Sequence, residues 1–225
     1  TMIVYGGVLQ TGSLSGEMLA LDLEFFTWSR LTVKQIYEPL AQTQCVSVIS
    51  FKKRTDDQVT RLSDTVQDGI YMFGGKNAAG ELQGKLRYLK PTVVDGKVTG
   101  VDFVKLRQTG TAPCGRTGHT MGYLPQNQAL LVVGGRNDDM CRAQSIPFLN
   151  DMHLFLLDQK MWLRIKYIPV SEKLCSIGNH AMAVAQDEYG REKVVIFGGI
   201  TDIERPGMKN GLSNQTFTLE IAQVI

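Results

Sequence analysis

A short apolar run ending in a glycine pair occurs four times in this 225-residue chain, as Met2–Gly7, Ile70–Gly75, Leu130–Gly135 and Val194–Gly199. The first glycines, Gly6, Gly74, Gly134 and Gly198, stand 68, 60 and 64 residues apart. A near-regular period of this size marks a repeat architecture and constrains the fold more than any other feature. The flanks repeat as well. Glu17–Leu23 and Asp151–Asp158 read as strands ending near Leu-Asp, and a strand carrying an aromatic follows each. That aromatic is Trp28 in the first unit, Trp162 in the third and, as a softer match, Phe103 in the second. Another strand precedes the next glycine pair, over His119–Leu124 and His180–Gln186. Clusters of Gly, Pro, Asn and Asp separate these runs, as turns between short strands require.

Four short strands cannot bury both of their faces alone. Stacking such sheets radially buries them and leaves only short edges. The second glycine of each pair (Gly7, Gly75, Gly135, Gly199), like the first, supplies a positive φ or a close backbone approach where a side chain would clash. The aromatics are large, flat fillers for the space between neighbouring sheets. The expectation is an all-β chain of four units, spanning about residues 1–40, 41–108, 109–168 and 169–225.

Composition removes several function classes. A hydrophobic share of 43% fits a soluble globular protein. The longest aliphatic run, Ala129–Val133, is far short of the roughly 20 residues that span a bilayer. No signal peptide is expected, and a net charge of +2 is too small to imply a nucleic-acid surface. The chain opens at Thr1 inside an apolar stretch, which reads as part of something longer. Cys45, Cys114, Cys141 and Cys175 include no CxxC pair, so a zinc finger or thioredoxin-like motif is not expected. Four reduced thiols in an intracellular protein are expected; the sequon Asn214-Gln215-Thr216 weighs little against that.

The run Gly110-Thr111-Ala112-Pro113-Cys114-Gly115-Arg116-Thr117-Gly118-His119 has the form GxxPxxRxGH, and Gly178 and His180 echo its end. With the glycine pairs, the Leu-Asp strands and the tryptophans, it resembles the kelch repeat over nearly the whole chain. The form is similar to that of host-cell-factor and kelch-domain-containing proteins, and less so to repeats attached to BTB domains. Unit two departs most, with Leu86–Lys90 in place of the Leu-Asp strand and a hairpin-like stretch over Val93–Val101. The resemblance implies a β-propeller whose blades carry strands a to d from the axis outward. Counted on that plan, the chain supplies b, c and d, then two full sets, then a, b and c. These fourteen strands make an arc of about four blades, incomplete at both ends, within a six- or seven-bladed ring.

No catalytic constellation converges. His119 and His180 occupy one position in consecutive repeats and are expected to be structural, as is Arg116. His153 reads as a residue on the face of an outer strand. A galactose-oxidase-like copper site lacks a histidine at an indicated axial pocket, and no glutamate begins an ExxxDxxxH run. GxSxG, HExxH, P-loop and GxGxxG motifs are absent. The segment is therefore read as a non-enzyme with no catalytic residue, metal or cofactor. Function is sought in the long loops Arg136–Asn150 and Ile200–Asn214, since loops carry function on rigid scaffolds. In the kelch family these loops rise on the face that commonly grips a peptide or protein. By that resemblance Arg136, Asp138, Asp139, Arg142, Asp202, Arg205 and Lys209 are candidate contacts, arginine being suited to bidentate pairing with carboxylates. Lys52-Lys53-Arg54 and Arg61, diluted by Asp56, Asp57 and Asp64, read as a solvated loop.

The expected function is a protein-interaction module or scaffold, with another protein or peptide and the remaining blades as partners, and neither nucleic acid nor membrane. The alternative is the substrate-targeting or regulatory propeller of a larger enzyme, such as a kelch-type phosphatase or a ubiquitin-ligase adaptor. The expected setting is intracellular, cytoplasmic or cytoskeletal.

Overall fold

Every apolar run before a glycine pair becomes a strand with antiparallel neighbours, because its alternating side chains find apolar surfaces to bury. The computed structural model describes residues 1–35, 37–49, 52–55, 58–61, 66–141, 148–170, 174–189, 191–201 and 211–221. These residues form 21 strands and one four-residue helix, in several sheets of which none is closed. The first sheet holds β1 (Met2–Tyr5), β2 (Met18–Leu21) and β3 (Trp28–Arg30). The second is built on β4 (Thr32–Val33) and β5 (Gln44–Val48), interrupted by β6 (Lys52–Thr55) and β7 (Gln58–Arg61), then β8 (Gly69–Phe73), β9 (Arg87–Val94) and β10 (Lys97–Val104). Its order is β4-β10-β9-β8-β5. The third contains β11 (Thr109–Gly110), β12 (Thr120–Leu124) and β13 (Ala129–Val133), then, after α1 (Asp138–Cys141), β14 (Met152–Leu156) and β15 (Met161–Ile165). Its order, β11-β15-β14-β13-β12, repeats that of the second. The last part holds β16 (Ile177–Gly178), β17 (Ala181–Gln186), β18 (Glu192–Phe197), β19 (Ile200–Thr201), β20 (Gly211–Leu212) and β21 (Thr216–Glu220). Here β17-β18-β21 form one sheet and β16-β19-β20 a small second one.

The register shows how closely the sheets correspond. The fourth residue before each first glycine pairs as Met2↔Leu21, Ile70↔Leu89, Leu130↔Phe155 and Val194↔Leu219. One strand further out, Leu21 pairs with Trp28, Leu89 with Phe103 and Phe155 with Trp162. Phe103 thus holds the tryptophan position of the second sheet.

Three apolar cores lie between successive sheets. One joins Met18, Ala20 and Leu31 to Leu40, Met72, Leu89 and Val101. The next joins Tyr71, Phe73, Leu86 and Tyr88 to Leu130, Val132, Phe155 and Trp162. The third joins Leu131, Val133, Met152 and Leu154 to Val194 and Ile196. Strand β13 sends alternate side chains into two different cores, so all five of its residues are buried. Among the described residues β1 packs against a neighbouring sheet on one face only, and its residues alternate between exposed and half-buried.

The glycine pairs interlock the sheets. Gly74 and Gly75 have φ of +71° and +91°, backbone that side chains rarely adopt. A Cβ on Gly74 would stand 2.3 Å from the His119 ring of the next sheet. With that space open, the Gly75 N–H donates to the Arg116 carbonyl at 2.8 Å. The Gly7 N–H donates likewise to Leu40 at 3.0 Å, and that of Gly135 to Ile177 at 2.8 Å. Strands β5, β12 and β17 are neighbours in series across the boundaries, at one end of each sheet.

The strands expected from the repeat are present, with additions. The linkers after the first and second sheets each lay a parallel strand on the outer edge of the next one, β4 on β10 and β11 on β15. The Lys52–Arg61 stretch, expected as a loop, is an antiparallel hairpin in which Lys52 pairs with Arg61 and Thr55 with Gln58. The sequences Lys-Lys-Arg-Thr and Gln-Val-Thr-Arg have no apolar alternation that would announce these strands.

Candidate functional site

The residue after each glycine pair begins a second, smaller layer of pairing. Val8 bridges Leu14; Lys76 bridges Ala41 and Leu82; Arg136 bridges Thr117 and Phe148. Ile200 pairs with Gly178 and Leu212. The first loop is pinned at Val8 to the segment before the next strand, and the loops at Lys76, Arg136 and Ile200 are pinned there and, on the other side, to the segments at Ala41, Thr117 and Gly178. From pinned residue to return, the loop covers 8–14 and 76–82 in the first two units, but 136–148 and 200–212 in the last two. The long loops are thus six-residue extensions of a common frame.

Units two and three repeat a basic residue followed by asparagine, Lys76-Asn77 and Arg136-Asn137. Both asparagines are buried and organise the loop. Asn77 accepts from the Ala79 and Glu81 N–H groups at 3.1 and 2.9 Å and donates to the Glu38 and Glu81 carboxylates at 2.7 and 2.8 Å. Asn137 accepts from the Met140 N–H at 2.9 Å, capping α1, and donates to the Gly115 carbonyl at 2.6 Å. The basic side chains beside them stay accessible. Arg136 is half-exposed in an ion pair with Asp138, and Asp139 follows in the first turn of α1. Lys76 is half-buried and makes no ion pair with a described residue. The sequence reading overlooked Lys76, Asn77 and Asn137; the signal was the repeated basic-Asn pair directly after the double glycine.

Of the expected contact residues, Arg136, Asp138 and Asp139 lie together on this loop, and Arg142, Asp202, Arg205 and Lys209 lie outside the described residues.

Beneath the loop lies a buried polar network. Arg116 is wholly buried and pairs bidentately with Asp151 at 2.6 and 2.9 Å, and it donates to the Gly134 carbonyl at 2.8 Å. A ring nitrogen of His153 lies 3.0 Å from the same carboxylate. Burial alone would raise the Asp151 carboxyl; the hydrogen bonds of Arg116, then of His153, overcome it and hold it well below the usual range. His153 is thus a buried member of this network and not simply a strand-face residue. His180 spans a boundary, its Nε2 lying 2.7 Å from the Thr120 hydroxyl of the preceding sheet. His119 meets the Phe73 ring of its preceding sheet edge-on at 5.5 Å. Burial pushes His119 down to about 3, helped by the Arg116 charge, and His180 down to about 4, so both are neutral at pH 7. The His119 ring serves packing, and the His180 ring packing and the hydrogen bond to Thr120.

Among the described residues no three of His, Cys, Asp and Glu come together to hold a metal. Cys45, Cys114 and Cys175 are free thiols. No helix among the described residues is long and apolar enough to cross a membrane.

No protein-family model matches the chain. Acyl-CoA-binding domain-containing protein 4 of Arabidopsis thaliana is 24% identical over 200 residues, covering 88% of this chain and 25% of that protein. The solved structure of YjhT matches with a TM-score of 0.56 at 15% identity, covering 94% of this chain and 51% of the other. The chain spans a quarter of the length of the curated relative and half of that of the solved structure. At this identity the likeness to YjhT is one of fold alone.

Proposed function

We propose that this chain is a kelch-type β-propeller arc that presents its post-glycine loops to a protein or peptide partner. The four sheets are its blades, within a ring of six or seven. The observation that carries the reading is the pinned loop frame. Lys76 and Arg136 stand at one position of consecutive sheets, each with its backbone held on both sides and a buried asparagine beside it. A rigid frame presents charge without an ordering cost on binding. Lys76 has no acidic partner among the described residues and Arg136 has only an exposed one, so acidic side chains are the complementary chemistry. Free thiols support an intracellular setting, cytoplasmic or cytoskeletal.

The test is selection of a displayed random-peptide library on the 225-residue protein. Enriched peptides rich in Asp and Glu are expected, with binding lost on Lys76→Glu/Arg136→Glu. Peptides that bind this variant unchanged would sink the reading. The second reading, a substrate-targeting or regulatory propeller of a larger enzyme or ubiquitin-ligase adaptor, draws on the short share of the curated relative that the chain matches.

A further inference from the structure

Leu21 pairs with Met2, so β2 turns into β3 at the end of the sheet away from the glycine pair. The turn covers residues 22–27, and β9 turns into β10 at the same end through residues 95–96. In both tryptophan-bearing units the residue two before the tryptophan has a φ of +53°: Lys160 in one, Phe26 in the other. The turn thus requires left-handed backbone there, which glycine, asparagine and aspartate adopt readily and a bulky apolar residue rarely does. Phe26 sits in it with 75% of its surface exposed, and Phe25 beside it is 63% exposed. Neither turn geometry nor burial among the described residues calls for two phenylalanines.

The neighbouring hairpin adds to this apolar corner. β9 and β10 have eight residues each where β14 and β15 have five, and the added length carries Val93, more than half exposed. Val93 pairs with Val98, which packs in the core between the first and second sheets, so both face that boundary. Phe25 reaches the same boundary: the Lys97 ammonium lies 5.4 Å from its ring centre and 3.6 Å from the Asp22 carboxylate. The exposure of Phe25 and Val93 therefore belongs to a boundary whose two sheets are both present. Asp22 also accepts from the Glu24 and Phe25 N–H groups at 2.9 and 3.2 Å, which sets the turn. The corner is acidic in a chain whose net charge is +2: within residues 22–27 and 93–98, Asp22, Glu24 and Asp95 stand against Lys97. Glu24 and Asp95 are exposed and make no ion pair with a described residue.

We propose that this corner docks a protein partner through a segment whose apolar side chains are flanked by lysine or arginine. The apolar side chains bury against Phe25, Phe26 and Val93, and the flanking cations meet Glu24 and Asp95. The turn that Asp22 sets holds Phe25 in place before binding, which lowers the ordering cost. The carboxylates also favour a basic protein segment over an anionic lipid surface, which they would repel. This surface lies at the opposite end of the sheets from the loop face and selects the opposite charge. It stands independently of the loop-face reading.

The test is selection of a displayed random-peptide library on the Lys76→Glu/Arg136→Glu protein, in which the loop-face charges are reversed. Enriched peptides are expected to combine Leu, Phe or Trp with Lys and Arg. Fluorescein-labelled copies should bind the unaltered protein equally well, and Phe25→Ser/Val93→Ser or Glu24→Gln/Asp95→Asn at least tenfold more weakly. Hydrogen exchange on the unaltered protein gives a readout that no substitution affects: amides of residues 24–27 and 93–98 gain protection when peptide is added. No enrichment, peptides without cations, unchanged exchange, or full binding to either double variant overturns the proposal. So does binding to phosphatidylcholine vesicles that Phe25→Ser abolishes, since lipid would then be the occupant. A dimer lost on the same substitution overturns it too, the occupant then being a second copy. Each of these failures leaves the loop-face selection of acidic peptides standing.

Discussion

Arg116 has no exposed surface, and its charge is tolerated because Asp151 accepts from both terminal nitrogens of the guanidinium while the Gly134 and Cys114 carbonyls and the Cys114 sulfur accept the remaining three donors. Removing one partner of such a pair strands the other, at a cost of about 3–5 kcal/mol. Arg116→Met is expected to lose that much in guanidinium denaturation, and Arg116→Met/Asp151→Asn to recover part of it. If the double variant is no more stable than the single one, the pair is not the source of the loss. The histidines argue in the other direction, from a charge that is kept out. His180 and His119 are held neutral, at about 4 and about 3, whereas an unfolded imidazole titrates near 6.5. Each contributes stability fully present above pH ~6.5 and lost as pH falls toward its folded value, by at most about 1.4 kcal/mol per pH unit. Thermal midpoints should therefore fall between pH 6.5 and 4, and His180→Gln, which keeps a hydrogen-bonding group for Thr120 without an ionisable ring, should flatten that slope. Asp151 acts lower still: its depressed carboxyl keeps its contribution until the pH drops below the ordinary carboxylate range.

Strands β13 and β1 have the same pattern before the same glycine pair, yet one is buried on both faces and the other on one. Local propensity does not distinguish them; position in the stack does. Leu131→Ala in β13 removes a wholly buried side chain and should cost about 2–5 kcal/mol, whereas Val4→Ala, at 40% exposure, should cost under about 1 kcal/mol. Denaturation midpoints at unchanged m-values check the contrast. This separation also explains what was legible beforehand. The glycine pairs, Trp28, Trp162 and even Phe103 were readable because the repeat forces each residue type into one steric role, and four sheets follow from them. The linker strands β4 and β11 were not: two residues each, without alternation, they exist because an outer edge is next to them. The Lys52–Arg61 hairpin is local in pairing and polar in sequence, so no core-facing period announced it. At the loop face, Arg136 was legible as a charge in a long loop. Lys76 was not, because its loop is short and what sets it apart, the bridge to Ala41, is displayed only by the assembled sheets.

The arrangement of the whole molecule is asymmetric in a way that its two tryptophans report. Trp162 and Trp28 hold the same register position in their sheets, but Trp162 is 1% exposed and Trp28 is 56% exposed. The difference lies in what stands on the near side. Trp162 packs on Phe73 of the sheet before it, at 5.4 Å between ring centroids, and no described sheet precedes Trp28. Met2 and Val4 share that open face and are 43% and 40% exposed. An apolar patch of this kind on a sheet marks a surface that another element covers. Completion of the ring in the proposed function places another blade there. In the 225-residue chain, iodide should quench one emission component and spare the other, and Trp162→Phe should remove the spared one. That substitution also removes the Nε1–H donation to Gln108 at 3.0 Å, so circular dichroism must first show the fold retained. In a form of the protein that completes the ring, Trp28 should become as resistant to iodide as Trp162 is here. Should it stay accessible in that longer form, no blade covers its face, and the ring part of the proposed function fails while the loop face stands.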